Sequence, residues 1–245
     1  MKNVTTKFLT LGITAALLTC GLTACKADKN ININVSATIE TKINSDPGNQ
    51  MGAGSWETAE STEVNDELKS FFNDAVGKLD GYFFEPVALL GTQVVAGTNY
   101  CFLCKPTIKA DNAMNSMVLT YINVDPSGSA SYIKDERLVL PGTDAANGDD
   151  MMVGGWSYAV SSEITPELKD IMAKASETLT GAVYEPVAYV GSQVVAGTNH
   201  AMLCKVAPST SGLSSPVTLA VVYIYEDLEG NCEITEVTDV VLNIG

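Results

Sequence analysis

One histidine and a small group of cysteines are the residues of this chain that are most able to do chemistry. His200 is the only histidine among the 245 residues, and Cys204 follows it four positions later. A histidine that deprotonates a cysteine thiol creates a nucleophile, provided that the two side chains are within hydrogen-bonding reach. Four residues of extended chain separate these side chains by about 13 Å, so we do not expect a His–Cys catalytic pair.

The pair Cys101-x-x-Cys104 has the spacing of a redox-active disulfide. Redox-active pairs of this kind lie at the N-terminus of a helix that follows a strand. Here the surrounding residues are typical of a strand interior, where side chains three positions apart point to opposite faces. We therefore predict that Cys104 and its counterpart Cys204 are small core residues, and that Cys101 and Cys232 are free thiols.

The sequence has no motif for other common enzyme or metal chemistry. It contains no Gly-x-Ser-x-Gly sequence, no phosphate-binding Walker loop and no histidine-rich pattern. Its acidic residues are dispersed, so they form no recognisable carboxylate pair for hydrolysis. A formal net charge of −15, without a Lys or Arg cluster, would repel nucleic acid. We therefore expect a protein that is not an enzyme, with no catalytic residue, cofactor, metal or nucleic-acid partner, and we expect it to be a monomer.

The first 25 residues have the layout of an export signal. Lys2 and Lys7 supply positive charge, and residues 8–22 form an apolar run that is too short for a comfortable membrane span. The run leads into Leu-Thr-Ala-Cys at residues 22–25, which resembles the lipobox of bacterial lipoproteins. That resemblance implies removal of residues 1–24 as a signal peptide and lipidation of Cys25. Cys20 is a weaker candidate, and an ordinary signal peptide followed by an unmodified cysteine is the alternative.

A lipid on Cys25 determines the expected location. Acyl chains would hold the exported protein on the cell membrane or the outer membrane, with its domains outside the cytoplasm. Residues 25–50 are largely polar, with Asp46-Pro47-Gly48 near their end. We expect this segment to be a tether between the membrane and the folded part.

An internal repeat determines the domain count. Residues 93–99, Gln-Val-Val-Ala-Gly-Thr-Asn, recur unchanged as residues 193–199, and the same shift of 100 positions aligns Trp56 with Trp156. This period is too long for a solenoid, whose units are about 20–45 residues. We therefore predict two domains, copy one at residues 51–140 and copy two at residues 151–245. Residues 141–150 are the expected linker, because Pro-Gly and Asn-Gly pairs near this boundary favour turns.

Each copy has the pattern of one helix followed by several strands. Thr165 is a favourable N-cap in copy two, with Pro166 in the first helical turn, and Asn65 has the capping role in copy one. One apolar stripe with helical spacing follows in each copy. The remaining segments are rich in β-branched and aromatic residues, and Ala-Gly at 96–97 and 196–197 is expected to form hairpin turns. This pattern predicts the α+β class, with one helix packed on a four- to five-stranded antiparallel sheet in each copy.

Three features of copy two together resemble the stefins, which are single-domain, disulfide-free members of the cystatin family. They are the glycine-containing segment at residues 151–155, the Thr-Pro-Glu helix start at 165–167 and the heptapeptide at 193–199. The resemblance covers nearly all of residues 51–140 and 151–245, and it implies two cystatin-like domains. The second hairpin departs from the family pattern. Stefins have Leu-Pro-Gly there and other cystatins Pro-Trp, whereas this chain has Pro-Ser-Gly and Leu-Glu-Gly.

The resemblance also implies a function. Cystatins inhibit papain-like cysteine proteases by entering the active-site cleft as a wedge. The N-terminal glycine lets the chain turn away from the catalytic cysteine, and the Gln-x-Val-x-Gly hairpin covers the cleft without presenting a scissile bond. The implied function is reversible inhibition of papain-like cysteine proteases. Carried over position by position, the implied protease-binding residues are Gly54, Gln93, Val94, Val95, Ala96, Gly97, Gly154, Gly155, Gln193, Val194, Val195, Ala196 and Gly197.

A second class of function also fits these patterns. A tight hairpin needs glycine whatever its function, and a cystatin-like fold could serve as a non-inhibitory surface binding module or adhesin. The glutamine retained beside the valine pair in both copies is more than a turn requires. This favours the inhibitor hypothesis over the binding module.

Overall fold

The computed structural model describes residues 54–107, 116–143, 155–209 and 216–244, and within them both copies have the same order of elements. Each copy has a short strand, a helix and four longer strands. Copy one consists of β1 (Trp56–Thr58), α1 (Asp66–Val76), β2 (Phe84–Val95), β3 (Gly97–Pro106), β4 (Val118–Val124) and β5 (Ala130–Arg137). Copy two consists of β6 (Trp156–Tyr158), α2 (Pro166–Ser176), β7 (Ala182–Val195), β8 (Gly197–Pro208), β9 (Thr218–Glu226) and β10 (Cys232–Val240).

Two antiparallel sheets of five strands contain all of these strands. The strand order is β1-β2-β3-β4-β5 in one sheet and β10-β9-β8-β7-β6 in the other, so consecutive strands are always neighbours. Each sheet carries its own helix between its first and second strands. The α+β class, with one helix and a five-stranded antiparallel sheet in each copy, is therefore confirmed.

Both helices begin at the residues that the sequence predicts. The Asn65 side chain accepts a hydrogen bond of 2.9 Å from the backbone N–H of Leu68, and Thr165 Oγ1 accepts from the Leu168 N–H at 3.4 Å. These caps satisfy backbone donors that have no partner within the helix. Pro166, at the start of α2, has no N–H that would need a partner.

One face of each sheet is covered by the helix of the same copy. In copy one the cluster is rich in aromatic residues, among them Phe72 and Phe102, whose rings meet edge to face with centroids 5.4 Å apart. In copy two it is mainly aliphatic, with Ile171 and Met172 of α2 against Met202 and Val222 of the sheet. Each copy therefore has a core of its own.

The other faces of the two sheets pack against each other. Leu90, Leu103 and Tyr121 of copy one lie in one buried cluster with Val190 and Leu203 of copy two. The molecule is thus a sandwich of two sheets with a helix on each outer side. The repeat predicts two domains but does not predict this shared core, which buries a second face of each sheet.

Several sequence-based predictions lie outside the described residues. They include the signal peptide, the tether, Cys25, Gly154 and most of the linker, of which only residues 141–143 are described. Within the part of the chain that the structure describes, no helix is both long and apolar enough to cross a membrane.

Candidate functional site

Three segments meet at one end of each sheet. In copy one they are the N-terminal segment at Gly54, the first hairpin (residues 93–98, between β2 and β3) and the second hairpin (residues 124–130, between β4 and β5). The Gly54 N–H donates to the Val94 carbonyl at 2.9 Å, and Thr98 is paired with Val124 in the sheet. We call this end of copy one the first tip. The second tip is its counterpart in copy two, formed by Gly155, residues 193–198 and residues 226–232.

Gln93 fastens the N-terminal segment to the first hairpin. Its Nε2 donates to the Gly54 carbonyl at 2.6 Å, and its Oε1 accepts from Asn99 Nδ2 at 2.7 Å. Asn123 Nδ2 extends this chain by donating to Asn99 Oδ1 at 2.8 Å. In copy two, Asn199 donates to Gln193 in the same way, at 2.7 Å. The predicted site residue Gln93 therefore holds two parts of the first tip together.

Gly97 and Gly197 are required by the backbone of the hairpin. Their φ angles are +103° and +122°, in a region that other residues rarely adopt. A Cβ atom would also collide with a backbone carbonyl oxygen, that of Val124 at Gly97 and that of Glu226 at Gly197. These glycines let the first and second hairpins lie against each other.

The exposed surface of each tip is apolar. Val94 is 60% exposed and Val194 is 73% exposed, although valine is usually buried. Val95 and Val195 are also exposed, as are the small residues Ala96 and Ala196. The pairings Val94–Thr98 and Val194–Thr198 hold these side chains on short, closed hairpins. Each tip therefore presents a rigid apolar ridge to solvent.

An aspartate shapes the second hairpin of each copy. Asp125 Oδ1 accepts from the backbone N–H groups of Ser127 and Ser129, and from Ser127 Oγ. Asp227 makes equivalent contacts with residues 229 and 231. Hydrogen bonds to the ionised form, first that from the Ser127 side chain, lower the pKa of Asp125. Leu228 follows Asp227 and is 82% exposed, so the second hairpin adds an apolar side chain to the second tip.

Copy two has additional support behind its tip. The Tyr225 hydroxyl donates to the carbonyl of Ala196, which lies in the first hairpin of copy two (residues 193–198). His200 is buried, with Nδ1 3.0 Å from the Tyr189 hydroxyl and Nε2 3.2 Å from Glu226 Oε2. Tyr100 and Asn123 occupy the positions that correspond to His200 and Tyr225 in copy one. No sequence pattern indicates the contact between Tyr225 and Ala196, because it depends on how the two hairpins pack.

The cysteines have the structural roles predicted from the sequence. Cys101, Cys104 and Cys204 are buried and Cys232 is partly exposed, and all four are free thiols. Burial raises the pKa of the Cys204 thiol well above its ordinary value, which suppresses the reactive thiolate. Among the described residues, no group of three or more His, Cys, Asp or Glu side chains could hold a metal ion.

The two tryptophans lie between the sheets. Trp56 and Trp156 pack against the shared core, and their rings meet Tyr121 and Tyr223 edge to face at centroid distances of 5.5 and 5.4 Å. They anchor the short strands β1 and β6 immediately after the N-terminal segments of the tips. Their contribution to the tips is therefore to hold the lead-in segments in place.

Comparison of the chain with protein-family models gives no match, and comparison with curated proteins gives none either. A functional interpretation therefore depends on the residues and geometry of the tips.

Proposed function

We propose that this protein is a reversible, wedge-type inhibitor of papain-like cysteine proteases, built from two cystatin-like domains. The observation that carries the proposal is the convergence of three segments at one end of each sheet. The Gly54 segment, the first hairpin and the second hairpin form a continuous edge with exposed valines at its centre. This is the arrangement that the resemblance to the stefins implies.

The hairpin fits the role of an inhibitor because it cannot bind as a substrate does. A protease cleft holds its substrate as an extended strand. In the first hairpin, the backbone on both sides of Ala96 is already paired, Val94 with Thr98 and Val95 with Gly97. A bound hairpin therefore fills the cleft without placing a peptide bond in line with the nucleophile. Inhibition of this kind needs no reactive group in the inhibitor.

Apolar burial and rigidity would supply the affinity. Burial of a valine side chain contributes about 1.5–3 kcal/mol. The first hairpin of each copy has two exposed valines that a partner could bury. Because Gln93 and Gly97 already fix the edge, little conformational entropy is lost on docking. Nanomolar affinity requires about −12 kcal/mol in total, so the lead-in segment and the second hairpin must contribute as well.

We further propose that the inhibitor acts outside the cytoplasm, tethered through a lipid on Cys25. The support for this is the lipobox-like sequence at residues 22–25, followed by the polar segment before the folded copies. On this proposal the partner proteases meet the tips at or near the membrane surface.

Titration of papain with a fragment starting at Met51 tests the proposal. This fragment contains both sheets, both helices and the shared core. We expect inhibition at or below micromolar concentration. The double variant Val94→Asp/Val194→Asp should weaken inhibition at least tenfold, because it would place a charge on the apolar ridge of each tip.

A matched control is Val160→Asp, because Val160 is 77% exposed but lies between β6 and α2, away from the ridge. It should inhibit as the unaltered fragment does. Absence of inhibition by the unaltered fragment at micromolar concentration would refute the proposal. Equal inhibition by the fragment and its double variant would exclude the valine ridges as the contact surface.

A further inference from the structure

Several contacts between the copies join the tip half of one sheet to the opposite half of the other. Thr58, close to the first tip, donates through Oγ1 to the carbonyl of Val217 at 2.7 Å. Val217 directly precedes β9, which reaches the second tip only at its other end. Thr58 therefore lies next to the end of copy two that is farthest from the second tip.

The segments that follow the last strands repeat this relationship in both directions. Leu140, beyond the end of β5, lies on Gly191, whose hydrogen atom leaves room for it. Leu242, beyond the end of β10, lies on Gly91 in the corresponding way. Each leucine lies at the end of its own copy that is farthest from the tip of that copy. The glycine that it contacts belongs to the other copy and is close to the tip there. The two sheets are thus stacked head to tail, related by an approximate twofold axis.

This stacking places the two tips at opposite ends of the molecule. Strand β2 has 12 residues and β7 has 14, so each sheet is about 40 Å long at roughly 3.3 Å per residue. The tips are separated by about that length and point away from each other. The shared core, which buries Leu90, Leu103 and Val190, fixes this geometry.

We infer that one molecule binds two papain-like protease molecules at the same time, one at each tip. This inference rests on the proposed inhibitory function. A single-domain protease of about 200 residues has a radius of about 20 Å, so two such molecules docked on outward-pointing tips do not collide. Both tips expose the required valines, and neither valine ridge is covered by the other copy.

The stoichiometry of inhibition tests this inference. The Met51 fragment is titrated into papain at an enzyme concentration far above the inhibition constant, and the mass of the saturated complex is measured by light scattering. We expect each fragment to inactivate two papain molecules and to form a complex of one fragment with two proteases. The variants Val94→Asp/Val95→Asp and Val194→Asp/Val195→Asp should each inactivate one.

The outcomes separate this inference from the proposed function. Inhibition that saturates at one protease per fragment would overturn simultaneous binding and leave the inhibitory function intact. Absence of inhibition would overturn both. Unchanged thermal unfolding of the two double variants would show that a lower stoichiometry comes from the lost ridge and not from misfolding.

Discussion

The glutamine and glycine of the repeated heptapeptide shape the edge, and they are less exposed than the two valines between them. Gln93 bonds to Gly54 and Asn99, and Gly97 lets the second hairpin approach the first. The exposed side chains are those of the valines between them. The motif therefore combines two residues that shape the hairpin with two that are available for binding.

Two requirements can make glycine necessary in a hairpin, a positive φ angle and a lack of space for a Cβ atom. Comparison of Gly97 with Gly128 separates them. Both have positive φ, but a Cβ at Gly97 meets the Val124 carbonyl, whereas a Cβ at Gly128 meets nothing within 4 Å. Gly128→Ala should lower the free energy of unfolding by about 1–2 kcal/mol through backbone strain alone. Gly97→Ala should cost clearly more, as measured by urea denaturation. Equal losses of unfolding free energy would show that the structure accommodates a Cβ atom beside the Val124 carbonyl at no cost.

Bulky replacements at Gly97 or Gly197 are consequently poor probes of the binding surface. Such a replacement alters the shape of the tip even if it never touches a bound partner. Val94 and Val194 are better probes, because their exposed side chains can be changed without disturbing the backbone.

Asp135, in copy one, makes the stability of the folded molecule dependent on pH. Its carboxyl group lies beside Tyr82 and Thr120, and partial desolvation there raises its pKa above the ordinary value of 3.8, although hydrogen bonds from Thr120, Tyr82 and Tyr132 oppose the shift. A raised pKa in the folded state means that the folded protein holds this proton more tightly than the unfolded chain does. The stabilisation is therefore complete below about pH 4, and it is lost as the pH rises through the folded pKa.

The variant Asp135→Asn cannot titrate and isolates this effect. The free energy of unfolding of the unaltered fragment, minus that of the variant, should fall as the pH is raised from about 4 towards neutrality. Urea denaturation at a series of pH values measures this difference. Copy two has Val237 at the corresponding position, so this titration belongs to copy one. A difference that is constant with pH would contradict the prediction.

Individual elements follow closely from local sequence. Asn65 and Thr165 cap the two helices as predicted, and the Ala-Gly pairs connect β2 to β3 and β7 to β8. These features depend on residues a few positions apart, so short-range rules are sufficient to predict them. The convergence of the hairpins at one end also follows from an antiparallel order in which consecutive strands are neighbours.

The packing of the sheets against each other could not be read from those local rules, although one signal was present. Residues 101–104, Cys-Phe-Leu-Cys, are all buried, so both faces of β3 are covered. A strand with one solvent-exposed face alternates apolar and polar residues, and this one does not. The run indicates a second covering layer but does not identify it, because the partner is a segment about 100 residues away.

At the scale of the whole molecule, the two copies form one structural unit. Each sheet is covered on one face by the helix of its own copy and on the opposite face by the sheet of the second copy. Lys205 Nζ donates to the Glu60 carbonyl, and the Asn243 N–H lies 3.5 Å from the Tyr121 hydroxyl, so polar contacts also join the copies. The orientation of the tips is therefore a property of the pair, and a study of isolated copies would lose it.

The shared core predicts that both copies unfold together. Separation would expose Leu90, Leu103 and Tyr121 on one copy and Val190 and Leu203 on the other. This penalty is comparable to the whole stability expected of a small domain, because each large apolar side chain contributes about 1.5–3 kcal/mol. Calorimetry of the Met51 fragment should show one transition, with equal calorimetric and van't Hoff enthalpies.

A fragment of residues 51–143 alone should associate with itself through the exposed face, as measured by analytical ultracentrifugation. Two separate transitions, together with a monomeric single copy of unchanged melting temperature, would show that the sheets are stable apart and that the opposed orientation of the tips is not fixed.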